Sequence, residues 1–293
     1  MTTAASVRDD AEQRRTTGLA GALAAEFAGT MILILFGNGV VAQVLSAPDG
    51  SLGGHDSISW AWGLGVALGV YVAGRRSGAH LNPAVTVSLA VFEGFAWRKV
   101  APYIVAQTAG AFVAALLVRW NYSETLAMVD PGHTFKTQTV FSTLPGNGTF
   151  PVSDLGALRD QIIGTAILLF VIRALSDVRN SPPLANLAPL IIGLLVVAIG
   201  MGWGTDAGYA INPARDFGPR LASYLTGYGT AFRDQYGGFY FWVPIVGPLV
   251  GGLVGSGLYS LLVGRFLPGD LDVDPTAEPE TDEAGSVPDE RTI

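Results

Sequence analysis

Two copies of Asn-Pro-Ala stand 130 residues apart, at Asn82-Pro83-Ala84 and Asn212-Pro213-Ala214. Asn is a strong helix N-cap and Pro suits the first helical position, so each triplet reads as a helix start. The approaches match as well: Ser77-Gly78-Ala79-His80-Leu81 before the first, Ala207-Gly208-Tyr209-Ala210-Ile211 before the second. An Asn that caps its own helix through the side-chain oxygen keeps its NH2 group for other partners. Each helix start adds about half a positive charge. Two such starts facing each other inside an apolar protein would donate hydrogen bonds to a neutral oxygen and repel a cation. One copy alone would do no more than cap a helix.

The elements that must hold these starts lie in a membrane. Of 293 residues, 49% are hydrophobic and only 14% are charged, against about 25% charged in soluble domains. Six apolar stretches, over 19–45, 58–74, 99–119, 157–176, 184–203 and 239–263, approach the ~20 residues that a spanning helix needs. The first 17 residues are polar and charged, and no cleavable signal is expected in them. There is no cysteine, so no disulfide and no thiolate metal site is expected. The net charge of −7 belongs to the end of the chain. Residues 268–293 hold nine acids and one base, and the rest has 15 acids against 16 bases. That tail is expected to be disordered. With six spans, Arg8, Arg14, Arg75, Arg76, Arg98, Lys99 and Arg173 share one side with both termini, while Arg119, Lys136, Arg159 and Arg233 fall on the other. The richer side is expected to be cytoplasmic.

The halves repeat. Glu26-Phe27-Ala28-Gly29-Thr30 matches Gln161-Ile162-Ile163-Gly164-Thr165, Trp62-Gly63-Leu64 matches Ile192-Gly193-Leu194, and Gly74 matches Gly204. Each half holds three spans, so the halves have opposite topology in the bilayer, an arrangement typical of transport proteins. The segments 82–92 and 212–222 are about 16 Å long as helices, half a bilayer. The expected fold is therefore an all-α membrane protein: six transmembrane helices and two re-entrant half-helices in two inverted repeats. A polar N-terminus spans 1–17. A channel domain spans 18–266, with repeat one over 18–120, an external loop over 121–156 and repeat two over 157–266; the acidic tail is 267–293. Small residues four apart, as at Gly65 and Gly69 and at Gly247, Gly251 and Gly255, suit close helix packing in lipid.

The doubled triplet, the inverted repeat, Ala25-Glu26-Phe27, Ser77 to Ala84, and Asn212-Pro213-Ala214-Arg215-Asp216 resemble the major intrinsic protein family, the aquaporins. Asp216 after Arg215, Val140-Phe141-Ser142-Thr143-Leu144-Pro145, and Ala188-Pro189-Leu190 resemble the glycerol-facilitator branch. The resemblance implies a selectivity filter of Trp62, Gly200, Tyr209 and Arg215. It implies pore-facing carbonyls at Gly78, Ala79, His80, Leu81, Gly208, Tyr209, Ala210 and Ile211, and a homotetramer with one pore per subunit. In the family a buried Glu anchors each half-helix loop. Glu26 fits, Gln161 replaces the second, and Asp216 stands beside the filter arginine as support. Members selective for water carry a His where Gly200 stands, and facilitators usually carry Phe at Tyr209.

These residues suit a passive channel for glycerol, small uncharged solutes and some water in a plasma membrane, excluding ions and protons, with both termini cytoplasmic. The backbone before each cap is expected to be extended, with carbonyls that need partners from the pore. His80 is expected to line the pore and bond locally. No metal, cofactor or nucleic-acid partner is expected, and no catalytic set is visible. A water-selective channel, or one tuned to urea or metalloid acids, is the nearest alternative. A coupled secondary transporter would need intramembrane acids beyond Glu26.

Overall fold

The computed structural model describes residues 4–47 and 49–268, with side chains from Gly18 onward. The acidic residues 269–293 lie outside the described residues. Among the described residues ten α-helices follow one another: α1 Ala4–Ser46, α2 His55–Ser77, α3 Pro83–Phe92, α4 Trp97–Asn121, α5 Ser123–Val129, α6 Phe135–Gln138, α7 Asp154–Ser176, α8 Ala188–Trp203, α9 Pro213–Leu225 and α10 Val243–Leu262. No strand occurs among the described residues, only an isolated bridge between Arg233 and Phe239.

Five helices are long and apolar enough to cross a membrane: Gly18–Ser46 of α1, α2, α4, α7, and α10 with its extension to Phe266. The remaining expected span, 184–203, is helical only over the 16 residues of α8. Pro182 and Pro183 lack the donors a helix needs. Ala185 and Asn186 then adopt left-handed φ of 53° and 56°, so the helix starts at Ala188. At about 24 Å it falls short of a ~30 Å hydrocarbon core. The half-helices are α3, with 10 residues, and α9, with 13. The second runs a turn past its expected end, to a Thr226 cap followed by Gly227 at φ 111°.

The repeats interlock. Within each, the first helix packs on the last, α1 on α4 and α7 on α10. Across them, α2 packs on α8, and each half-helix packs on the last span of the other repeat, α3 on α10 and α9 on α4. Glycines make these contacts backbone-close. A Cβ on Gly69 would meet the Gly29 carbonyl oxygen at 2.6 Å, one on Gly193 the Gly63 oxygen at 2.6 Å, and one on Gly218 the Thr108 oxygen at 2.7 Å. On α10, Cβ atoms at Gly251 and Gly255 would overlap the backbone of Ile162 and Ala166. Dispersion and close approach, rather than hydrophobic burial, hold such helices together in lipid. Just past the C-terminal end of α7, the Arg179 side chain holds the Asp177 carboxyl down at about 2. Tyr259 of α10 donates to the same carboxylate at 3.0 Å.

Gly251→Val is therefore expected to destabilise the protein by about 1–3 kcal/mol through overpacking. Gly39→Ala, where a Cβ meets nothing within 4 Å, should be neutral or slightly stabilising. Thermal unfolding in detergent, followed by size-exclusion chromatography, checks the pair; equal melting temperatures would contradict the packing assignment.

Candidate pore

The two helix starts meet at the centre of the molecule. Asn82 caps α3 by accepting from Ala84 N at 2.8 Å. Asn212 caps α9 by accepting from Ala214 N at 3.0 Å and Arg215 N at 3.2 Å. Each amide also reaches across to the other loop: Asn82 Nδ2 donates to the Ile211 carbonyl and Asn212 Nδ2 to the Leu81 carbonyl, both at 2.8 Å. The NH2 groups are therefore not wholly free, as the sequence suggested. An amide nitrogen has two hydrogens; one ties the loops together and one is left for the pore. Pro83, Ala84, Pro213 and Ala214 are buried as the first turns of α3 and α9 and stay behind this surface.

The approaches are not extended, contrary to expectation. Gly78, Ala79 and Leu81 have φ of 88°, 49° and 53°, and Gly208, Tyr209 and Ile211 have 66°, 35° and 43°. In each approach three of the last four residues before the cap thus take left-handed φ, all but His80 and Ala210. For the non-glycine residues this conformation costs on the order of 1–3 kcal/mol each and persists only where the surroundings enforce it. In the first loop Glu26 does so. It is fully buried and accepts from His80 N (2.9 Å), Leu81 N (2.8 Å), Ser77 Oγ (2.6 Å) and Gln107 Nε2 (2.7 Å). In the second loop Gln161 accepts from Ile211 N at 2.8 Å and donates to the Ala207 carbonyl at 2.9 Å.

A cavity of about 220 Å³ runs past these loops. Its lining includes Gly78, Ala79, His80, Leu81, Tyr209, Ala210 and Ile211 of the two loops with Asn82, Asn212 and Arg215, and also the apolar Leu33, Val66, Val70, Leu168, Ile192 and Val196. Among the described residues, the carbonyls of Gly78, Ala79, His80, Tyr209 and Ala210 accept no hydrogen bond. Those of Leu81 and Ile211 each accept one from the asparagines. Gly208 does not line the cavity; it lies against Asn147 and Thr143 of the external loop. His80 does, with Nδ1 3.1 Å from Thr86 Oγ1 and its ring packed on Phe95 and Tyr103. No metal-binding group of His, Asp or Glu occurs among the described residues.

Trp62, Tyr209 and Arg215 line this cavity together, all more than nine-tenths buried. The Arg215 guanidinium lies over the Trp62 ring at 3.8 Å from its centroid, a cation–π contact. Gly37 on α1 has no side chain to displace that ring. Asp216 does not pair with Arg215. Its Oδ1 accepts from Arg220 Nε at 2.7 Å, and its Oδ2 accepts from Thr143 N and Oγ1, both at 2.7 Å. Arg215 thus keeps its donors for the cavity. Gly200 is not on the cavity wall but behind Tyr209: a Cβ there would meet the Tyr209 Cζ at 3.0 Å. The space that the glycine leaves is filled by the Tyr209 ring, whose hydroxyl is buried beside Ser59. The hydroxyl therefore does not narrow the lumen.

Thr143, Asn147, Arg220, Gln107 and His55 are site residues that the sequence reading missed. Arg220 was findable, four residues after Asp216 on one helix face. The others reach the site from distant loops and helices. Asn147 Nδ2 donates to the Gly204 carbonyl at 2.7 Å, and Gly146 N to the Asp206 carbonyl at 2.8 Å, so the external loop straps the second re-entrant loop in place.

Residues 13–259 match the family model described as MIP, major intrinsic protein. The chain belongs to the major intrinsic protein family. It is 44% identical over 263 residues to the glycerol uptake facilitator protein of Escherichia coli strain K12, covering 88% of this chain and 93% of that one. It is 42% identical over 258 residues to Aquaporin-10 of Milnesium tardigradum, covering 83% of this chain and 63% of the longer relative. The solved aquaglyceroporin from Plasmodium falciparum superposes with a TM-score of 0.76 at 31% identity, over 84% of this chain and 98% of that one. This family member is thus a multi-pass membrane protein of the aquaporin fold.

Removing the Glu26 carboxylate leaves two buried backbone N–H groups unpaired, at about 1–3 kcal/mol each. Glu26→Ala is expected to unfold the first loop and abolish solute flux, and to lower thermal stability more than Gln161→Ala, which loses two bonds and keeps the external strap. Melting curves of the purified variants check the order; a larger loss from Gln161→Ala would contradict it.

Proposed function

We propose that this chain is a passive channel for glycerol and similar small uncharged solutes, with water also passing, and that it excludes ions and protons. The observation that carries this reading is the mixed lining of the cavity: loop residues with unpartnered carbonyls, two amide donors and an arginine together with apolar side chains. Glycerol has the complementary shape, with hydroxyls along one edge and C–H groups along the other. Each hydroxyl lost from water finds an acceptor or donor on this lining, so the desolvation cost that bars polar solutes from the bilayer is offset. Trp62 and Tyr209 offer rings to the C–H edge, while Arg215 and the second hydrogens of Asn82 and Asn212 donate to the oxygens.

Charge supports the same reading. Two helix starts and the Arg215 guanidinium set a positive barrier across the pore, of the kind known for aquaporin-type pores. Glu26 is engaged by four donors and Asp216 by Arg220 and Thr143. The names of the relatives, a glycerol uptake facilitator and an aquaglyceroporin, point the same way. We further propose a homotetramer in the plasma membrane with both termini cytoplasmic, which the family resemblance and the basic residues on that side support.

Stopped-flow light scattering on proteoliposomes tests the function. Fast glycerol uptake is expected; water flux without glycerol flux would contradict it. Gly200→His should drive the Tyr209 ring into the lumen and cut glycerol flux more than water flux, by about tenfold or more for a barrier change of ~1.4 kcal/mol. An equal effect on both solutes would overturn the assignment of the filter.

A further inference from the structure

We infer that His55 is a positioning residue of the filter, one that sets how wide the aromatic corner stands; this rests on the channel reading above. His55 opens α2 at the outer face, and its Nε2 lies 2.9 Å from the Gly200 carbonyl oxygen of α8, which is 145 residues away in the chain. A carbonyl can only accept, so the imidazole carries its hydrogen on Nε2 and donates. The carbonyl it meets is one of the last four of α8, which have no partner within the helix. The same helix end is capped a second time by Asn147 at Gly204.

The placement makes this bond more than a cap. His55, Ser59 and Trp62 follow at i, i+4 and i+7, one stripe of α2. Ser59 Oγ donates to the His55 carbonyl at 3.0 Å, and it would lie 2.9 Å from a Cβ on Gly200. Trp62 is the filter tryptophan under Arg215. On the opposite side, Gly200 is the surface on which the Tyr209 ring rests. One face of α2 thus carries Trp62, and the helix to which His55 ties it backs Tyr209. Deeper in the membrane α2 and α8 touch backbone to backbone at Gly63 and Gly193. That contact is a pivot, and His55 stands eight residues outward from it, about 12 Å along α2. With a pivot at one level and no tie at the other, the outer ends of α2 and α8 can splay. The His55–Gly200 bond closes that freedom and holds Trp62 and Tyr209 at their spacing.

The test compares glycerol with a five-carbon polyol in proteoliposomes, using wild type, His55→Ala, His55→Gln and His55→Asn. His55→Ala is expected to raise the flux of the larger polyol relative to glycerol by about threefold or more, the effect of losing one buried hydrogen bond. His55→Gln, whose amide can still reach and donate, should return the ratio toward wild type. His55→Asn, too short to reach, should behave as Ala does and serves if the Ala variant fails to fold. An unchanged ratio in folded His55→Ala or His55→Asn overturns the inference. So does an equal loss for both solutes, which a merely structural residue would give. Absence of glycerol flux in the wild type overturns the channel reading itself, and this inference with it.

Discussion

Everything in this fold depends on keeping two helix starts buried, tip to tip, in the middle of a membrane protein. Backbone donors and acceptors there have no water to turn to, and unpaired ones cost several kcal/mol. The solution is reciprocal. Asn82 and Asn212 each satisfy their own helix with the side-chain oxygen and the opposite loop with the side-chain nitrogen. The same five bonds cap two helices, join two repeats and aim the remaining amide hydrogens. The strained loops, the unpartnered carbonyls and the cavity follow from that knot.

The two repeats hold their loops by different means. The first uses a buried carboxylate, Glu26, with four donors around it. In the second, Gln161 makes two bonds, and the difference is made up from outside. Thr143, Gly146 and Asn147 of the external loop bind Asp216, Asp206 and Gly204, and Arg220 links Asp216 to the carbonyls of Thr143 and Ala231. The second loop carries Tyr209 and leads into Arg215. Its support therefore lies close to the filter, and the external loop is part of the filter's frame rather than a plain connection.

Much of this was legible in the sequence, because it is local or periodic. Capping chemistry marked both helix starts, and the 130-residue offset with odd span counts implied that they face each other. What was not legible depended on contacts between distant segments. Nothing local tells that each asparagine spends one hydrogen on the opposite loop, or that Asp216 accepts from Thr143 of a distant loop. The conformation of the approaches was misread because alanine, leucine, tyrosine and isoleucine rarely take left-handed φ; Glu26 and Gln161 enforce it from another helix. The role of Gly200 was read as room in the lumen, whereas the space is taken by the Tyr209 ring behind which it lies. The start of α8 moved because Ala185 and Asn186 break a stretch that composition alone counted as apolar.

The central claim is that these paired helix starts, with Arg215, pass neutral polyols and hold back charge. The most direct measurement records glycerol uptake and proton leak in the same proteoliposomes, with light scattering for the first and an internal pH dye for the second. The account predicts rapid glycerol entry with a proton leak no greater than that of protein-free vesicles. A proton leak that rises with the amount of channel, alongside glycerol flux, would contradict it.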